Sequence, residues 1–177
     1  MALPDTIKWV PGTPIVIGQP GASGVTHDLT LNGLADGAAR MSEVIDLGAS
    51  WDMDWTVMIV AEPTSAPTAG TGRVDVYLPC THSTSYYANE ITGSDAAWPA
   101  DSNEDEHALQ LGAPASSLIA TNDARVQVQA PRLWQPTGRY VVSVYDNNLG
   151  VALKTDGTAT DNKSRVILMP LVATVTD

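Results

Sequence analysis

The sequence has no phenylalanine, a single cysteine and only nine basic residues among 177 positions. One cysteine, Cys80, excludes a disulfide framework within the chain, so nothing argues for secretion. The basic residues are scattered and the net charge is −11, which argues against direct binding to nucleic acid, because phosphate contacts need clustered cations. Met1–Asp5 lacks the features of a signal peptide, and every apolar run is too short to span a bilayer. We therefore expect a soluble protein, made in a cytoplasm, with no membrane partner.

The composition fits one folded domain with a substantial core. Hydrophobic residues make up 44% of the chain, which excludes a wholly disordered protein. Charged residues make up only 16%, well below the usual quarter. Small polar and neutral side chains must therefore cover much of the surface. Such a surface is cheap to desolvate and suits a protein that works against a partner, although a compositional bias of the source explains it equally well.

Two alternating runs dominate the sequence, Trp51–Ala61 and Gly72–Leu78. In the first run Trp55, Val57 and Ile59 share one face, and the second run alternates in the same way. Period-two alternation is typical of strands with one face in a core. The connection between the runs is rich in Pro and Gly, so it does not form a crossover helix. We predict that the two strands form an antiparallel pair.

The rest of the chain reads as short strands separated by polar turns. The fold class predicted is all-β, an antiparallel β-sandwich that is jelly-roll-like. We assign 1–25 to an extended N-terminal arm or edge segment and 26–177 to the sandwich domain. A long irregular insertion occupies about 79–117, where strand patterns are absent. In the strand Arg165–Leu171 the face that carries Ile167 is apolar too, which predicts that both faces are covered.

An acidic loop in the insertion has the opening spacing of a calcium site. Asp101, Asn103 and Asp105 alternate as the first ligands of such a loop do. The glycine expected next is Glu106, and the later bidentate glutamate is missing. The pattern therefore favours a solvated acidic loop over a calcium site. These three residues are the metal candidate of the sequence, and we predict no other metal and no cofactor.

Cys80 and His82 are two residues apart, and His107 follows at a distance. A structural zinc site needs four ligands, and two more at motif spacing are absent. The same residues are of the right type for a nucleophile and its base, but no family signature accompanies them. A lone cysteine at a strand end is usually a small packed residue. We predict no catalytic residue and no enzyme activity.

The aromatic residues outside the predicted core are candidates for partner contact. Five tryptophans in a chain without phenylalanine is unusual, and aromatic side chains at strand ends or in loops can anchor an interface. The alternative for each is that it plugs an end of the sandwich. The predicted partner-binding residues are Trp9, Tyr86, Tyr87, Trp98 and Trp134.

Four segments together resemble accessory head proteins of tailed bacteriophages. These segments are Trp51–Val57, Pro67–Tyr77, Gly93–Trp98 and Arg165–Leu171. The resemblance spans roughly Trp51 to Leu171 and rests on sheet and turn patterns rather than on a chemical fingerprint. Proteins of this group are β-sandwich decoration (cement) proteins that clamp neighbouring capsid subunits.

The resemblance implies a non-enzymatic virion structural protein on the outer capsid surface. Its partner would be the major capsid protein, and also further copies of itself as a homo-oligomer. An alternative is a carbohydrate-binding jelly-roll module of a phage tail or fibre, with Trp98, Trp134 and Tyr86 as sugar platforms. A third is a hydrolase with an unrecognised carboxylate pair.

Overall fold

A computed structural model describes residues 6–51, 53–84, 91–98, 111–155 and 163–176 of the chain. The described part is all-β, and the strand pairs are antiparallel except for one short parallel pair, Ile15–Gly18 with His27–Asp28. The described part contains one turn of 3-10 helix, Gly48–Ser50. The prediction of an all-β, antiparallel sandwich is confirmed, whereas jelly-roll connectivity stays a prediction.

The strands form two larger sheets and a small one. The first sheet contains β1 (Thr6–Pro11), β2 (Ile15–Gly18), β3 (His27–Asp28), β6 (Trp55–Ala61), β11 (Gln127–Val128), β12 (Arg132–Trp134) and β15 (Arg165–Thr176). The second sheet contains β4 (Ala38–Met41), β7 (Arg73–Tyr77), β9 (Ala96–Ala97), β10 (Ser116–Ile119) and β14 (Val144–Asn148). The small sheet contains β5 (Ile45–Asp46), β8 (Cys80–Thr81) and β13 (Tyr140–Val141).

The main core lies between the first and second sheets. Alternating side chains of β6 and β15 pack against alternating side chains of β7 and β14, as the period-two pattern requires. Tyr145 is fully buried there, and its hydroxyl donates a hydrogen bond to the Val60 carbonyl 3.3 Å away. Burial raises the pKa of Tyr145, so the phenol stays protonated and keeps this bond.

The predicted pairing of the two alternating runs is wrong. β6 lies in the first sheet and β7 in the second, so the strands face each other across the core instead of sharing a ladder. Their connection crosses from one sheet to the other. It is held there by Thr64, whose N–H donates to the Ala152 carbonyl at 3.0 Å. Alternation reports which face of a strand is buried, but it does not say which strand lies beside it.

A second hydrophobic cluster covers the outer face of the second sheet. Trp98 and Ile91, from the segment 91–98, pack there against Tyr77 and Val144. The Trp98 N–H donates to the Ala39 carbonyl at 3.0 Å, which ties the segment to β4. This part of the predicted insertion is therefore integral to the fold and closes one side of the sandwich.

β1 and β2 run one after the other along the same side of β15. The register shifts by one residue between Gly12, which still follows the register of β1, and Ile15. The Gly12 N–H donates to the Pro170 carbonyl at 2.8 Å, and a Cβ on Gly12 would lie 2.9 Å from Pro170 Cγ. Only glycine fits this close approach without displacing the proline ring. Beyond it, β1 and the second half of β15 continue as a two-stranded ribbon outside the sandwich.

Candidate protein interface

The outer face of the first sheet is apolar along most of its length. The register places side chains in rows across the strands, because directly opposed residues point to the same side. One row joins Met58, Ile167 and Val16, and the next joins Leu133, Thr56 and Met169. The following rows join Leu171 with Pro11 and Ala173 with Trp9 on the ribbon, and Val128 lies at the opposite end. We call this surface the open face.

The open face is not part of either hydrophobic cluster. Met58 in β6 and Ile167, Met169 and Leu171 in β15 are all half-buried, whereas Val166 and Leu168, which alternate with the latter three, are fully buried. At the edges of the face the exposure is much greater, 58% for Trp9 and 63% for Leu133. The two sheets therefore differ, since segment 91–98 covers the second sheet while the described residues leave the first uncovered.

The size of the open face is that of a binding surface. It spans four strand positions and the stretch of β15 from Arg165 to Ala173, which is about 19 Å by about 26 Å. The projected area is roughly 500 Å², at the upper end of the largest apolar patches on ordinary monomers. A standard interface buries about 800 Å² of accessible surface per partner. The open face thus supplies most of what one partner contributes to a specific complex.

Charged groups on the open face lie in the Arg165 row at one end and in the Leu171 row, where β6 ends, and none lies in the rows of Ile167 and Met169. In the first of these rows the Arg165 Nε donates to the Lys163 carbonyl at 3.1 Å. In the Leu171 row Gln135 Nε2 donates to Asp54 Oδ1 at 2.6 Å. An apolar centre with polar groups at its rim is the usual anatomy of a protein interface. A partner that covers the rows of Ile167 and Met169 would therefore dehydrate apolar side chains without removing water from a charged group.

The predicted partner-binding residues lie in different environments. Trp9 is exposed and belongs to the open face. Trp98 is only 4% exposed and packs in the second cluster, so its indole offers no contact surface in this conformation. Trp134 is half-buried against the main core. Tyr86 and Tyr87 lie outside the described residues.

The calcium candidates Asp101, Asn103 and Asp105 also lie outside the described residues. Within the described ranges no three His, Cys, Asp or Glu side chains are placed together as metal ligands. Nor does a helix of that part have the length and apolarity to cross a membrane.

Cys80 is half-buried at the start of β8, and its Sγ lies 3.5 Å from the Leu78 carbonyl. Burial raises the pKa of the Cys80 thiol, with hydrogen bonds around Thr137 opposing this less strongly. The thiol is therefore protonated at neutral pH and is not an activated nucleophile. The His82 ring is held edge-on to Trp51, with 5.2 Å between ring centroids.

A cavity of about 490 Å³ lies where the ribbon leaves the sandwich, on the side opposite to the open face. Its lining includes the apolar side chains of Trp55, Leu47 and Val172 and the polar side chains of His27 and Asp46. Hydrogen bonds from Arg139 lower the pKa of Asp46, despite a small opposing effect of burial, and keep it ionised. Trp98 and Trp134, the two predicted sugar platforms within the described residues, do not line this cavity.

The middle of the open face was missed from the sequence. Met58, Ile167, Met169 and Leu133 are not among the predicted partner-binding residues. The signal was present in β15, because the face that carries Ile167 is apolar too, and this was taken to mean that both faces are covered. Two apolar faces indicate that both faces of a strand are buried. They do not indicate whether this chain or another molecule buries the second face.

Comparison of this chain with protein-family models, with curated proteins and with solved structures finds no match.

Proposed function

We propose that this chain is a non-enzymatic virion structural protein that decorates a bacteriophage capsid and clamps neighbouring capsid subunits. The observation that carries the proposal is the open face, a largely apolar sheet surface with a projected area of roughly 500 Å² that continues onto a ribbon outside the sandwich. The phage class itself rests on the sequence resemblance of the four segments named above.

The ribbon gives the open face the reach that a clamp needs. The six residue pairs of β1 with β15 extend the sheet by about 20 Å beyond the end of β6, and Trp9 lies about 10 Å along this extension. A chain that contacts one capsid subunit with the middle of the face is therefore able to contact the next with Trp9. Both contacts are lost only when the shell deforms or opens, so the bound protein stabilises the intact shell by the free energy of these contacts.

The charge of the chain favours a broad, apolar contact over one that depends on buried ion pairs. The net charge of −11 attracts the chain to a basic surface over longer distances. The middle rows of the open face then provide affinity by burying methionine and branched aliphatic side chains. Methionine adapts its shape to a partner more readily than other apolar residues do.

The test compares matched surface substitutions in binding to purified capsids of the phage that encodes the chain. Leu133→Asp places a charge at the edge of the open face and Met169→Glu places one in its centre. Ile119→Asp is the matched control, because Ile119 is 56% exposed but lies on the edge strand β10 of the second sheet. Circular dichroism and the thermal midpoint of each free variant establish that it is folded.

We expect Met169→Glu to weaken capsid binding at least thirtyfold and Leu133→Asp about tenfold, as central and peripheral interface residues do. Ile119→Asp should bind as the unsubstituted chain does, and binding of the latter should raise the melting temperature of the capsid. Equal effects of all three substitutions, or no binding by the unsubstituted chain, would refute the proposal. Specific glycan-array hits without capsid binding would instead favour the carbohydrate module.

A further inference from the structure

We propose that two copies of this chain pair through the free edge of the β15 ribbon, so that their first sheets join into one continuous sheet. The observation is a vacant strand position beside the second half of β15. β6 pairs with β15 from Arg165 to Pro170, and the last contact on that side is the Leu171 N–H, which donates to the Asp54 carbonyl at 2.7 Å. Beyond Leu171, β1 is the one strand of the described part that pairs with β15, and it lies on the side of β15 opposite to β6.

The direction of the main-chain groups follows from two hydrogen bonds. Leu171 faces the β6 side, and the Pro170 carbonyl faces β1, where it accepts from Gly12 at 2.8 Å. Because main-chain groups alternate along a strand, Ala173 and Val175 present their N–H and C=O groups to the vacant position. Among the described residues these four main-chain groups have no strand beside them, so the ribbon offers them to an added strand.

The outer edge of β1 is less suited to such pairing than the free edge of β15. By the same alternation, Ile7, Trp9 and Pro11 direct their main-chain groups away from β15. Pro11 has no N–H, and proline is a common device for blocking an edge strand. Two-stranded ribbons are marginal in water on their own, which makes a third strand stabilising. The unblocked edge of β15 is therefore the one to which a strand is added.

A second copy of the chain fits this edge because the ribbon is poor in charge. The chain carries a net charge of −11, so two copies repel each other over most of their surfaces. In the described ribbon, Lys8 is the one charged residue, and its side chain lies on the face opposite to Trp9. Like charges therefore oppose the approach of two copies less at the ribbon than elsewhere.

The register between the β15 strands of the two copies is the one in which all four main-chain groups form hydrogen bonds. An antiparallel pair with its two-fold axis at Thr174 sets Ala173 of one copy against Val175 of the other, and the reverse. Both are hydrogen-bonded pairs, so four hydrogen bonds form. An axis at Ala173 would form one such pair and would place Val175 against Leu171, whose N–H is already bonded to Asp54. The two-fold axis closes the assembly at a dimer and places the two open faces side by side.

The test is cysteine cross-linking of the full chain in a Cys80→Ser background. Opposed residues at a non-hydrogen-bonded position have Cβ atoms about 4.5–5.5 Å apart, so Thr174→Cys should form a disulfide with its own copy under mild oxidation. Val172→Cys is the matched control on the same face. Its two copies would lie about 13 Å apart, beyond disulfide reach.

Ala173→Pro provides the second variant. It removes the N–H that faces the vacant position, keeps the side chain apolar and leaves the bonds to β1 in place. We expect cross-linking of Thr174→Cys to be at least tenfold faster than that of Val172→Cys and to fall at least tenfold when Ala173→Pro is added. Equal rates for the two cysteines, no cross-linking, or no effect of the proline would overturn the pairing.

This pairing does not depend on the proposed function, because the cross-linking uses the free protein. A chain that fails to bind capsids and still cross-links at Thr174 refutes the decoration role alone. A chain that binds capsids and cross-links only to the capsid protein refutes the pairing alone, because a strand of the capsid protein then occupies the edge.

Discussion

Replacing Trp98 by alanine tests whether the segment 91–98 is part of the core or a contact for a partner. The side chain is 4% exposed and packs among Ile91, Tyr77 and Val144 on the outer face of the second sheet. Loss of a buried tryptophan costs about 3–5 kcal/mol, since both the transfer free energy and the packing around the cavity are lost. For a chain of this size that lowers the thermal midpoint by about 10 °C.

The matched control is Trp9→Ala, which removes the same side chain from a site that is 58% exposed on the ribbon. We expect it to change the free energy of unfolding by about 1 kcal/mol or less. Urea denaturation followed by far-ultraviolet circular dichroism measures both variants. A Trp98→Ala chain as stable as the unsubstituted one would refute the packing described here and would return Trp98 to the set of possible surface contacts.

Two further substitutions test the interior. Burial raises the pKa of Asp95, but hydrogen bonds from Thr30 and Arg40 outweigh this and lower it overall. A lowered pKa contributes stability above the unfolded value near 3.8 that is lost as pH falls through the folded value. Asp95→Asn should therefore cost about 1–2 kcal/mol at pH 7 and progressively less as the pH falls below 3.8 in urea titrations, and an equal cost at neutral and acid pH would contradict this. A Cβ on Gly138 would lie 2.6 Å from the Thr81 carbonyl oxygen, so Gly138→Ala should destabilise by about 1–3 kcal/mol, and an unchanged thermal midpoint would disprove that close approach.

The fold class was predictable because burial of one face imposes alternation on a strand. Trp55, Val57 and Ile59 were assigned to one buried face, and all three lie in the main core. The neighbour of each strand was not predictable in the same way. The pattern of β6 is satisfied equally by a partner in its own sheet and by a facing sheet, and the structure shows that β7 faces it.

The candidate interface was predictable only at its edge. Trp9 was chosen from the sequence because a tryptophan outside an alternating run is a common anchor, and it does lie on the open face. Trp98 was chosen for the same reason and is buried, because the segment around it folds back onto β4. Met169 and Ile167 were not chosen, since an apolar residue between two core residues looks like more core.

The sequence by itself determined the all-β class, the buried face of the main strands and the low, acidic surface charge, because these depend on local periodicity and composition. The tertiary structure alone decided which sheet face receives a cover from the chain and which stays open. That choice depends on where the segment 91–98 and the ribbon of β1 and β15 lie relative to strands far away in sequence. No local pattern specifies those long-range contacts, so the open face appears only once the strands are placed.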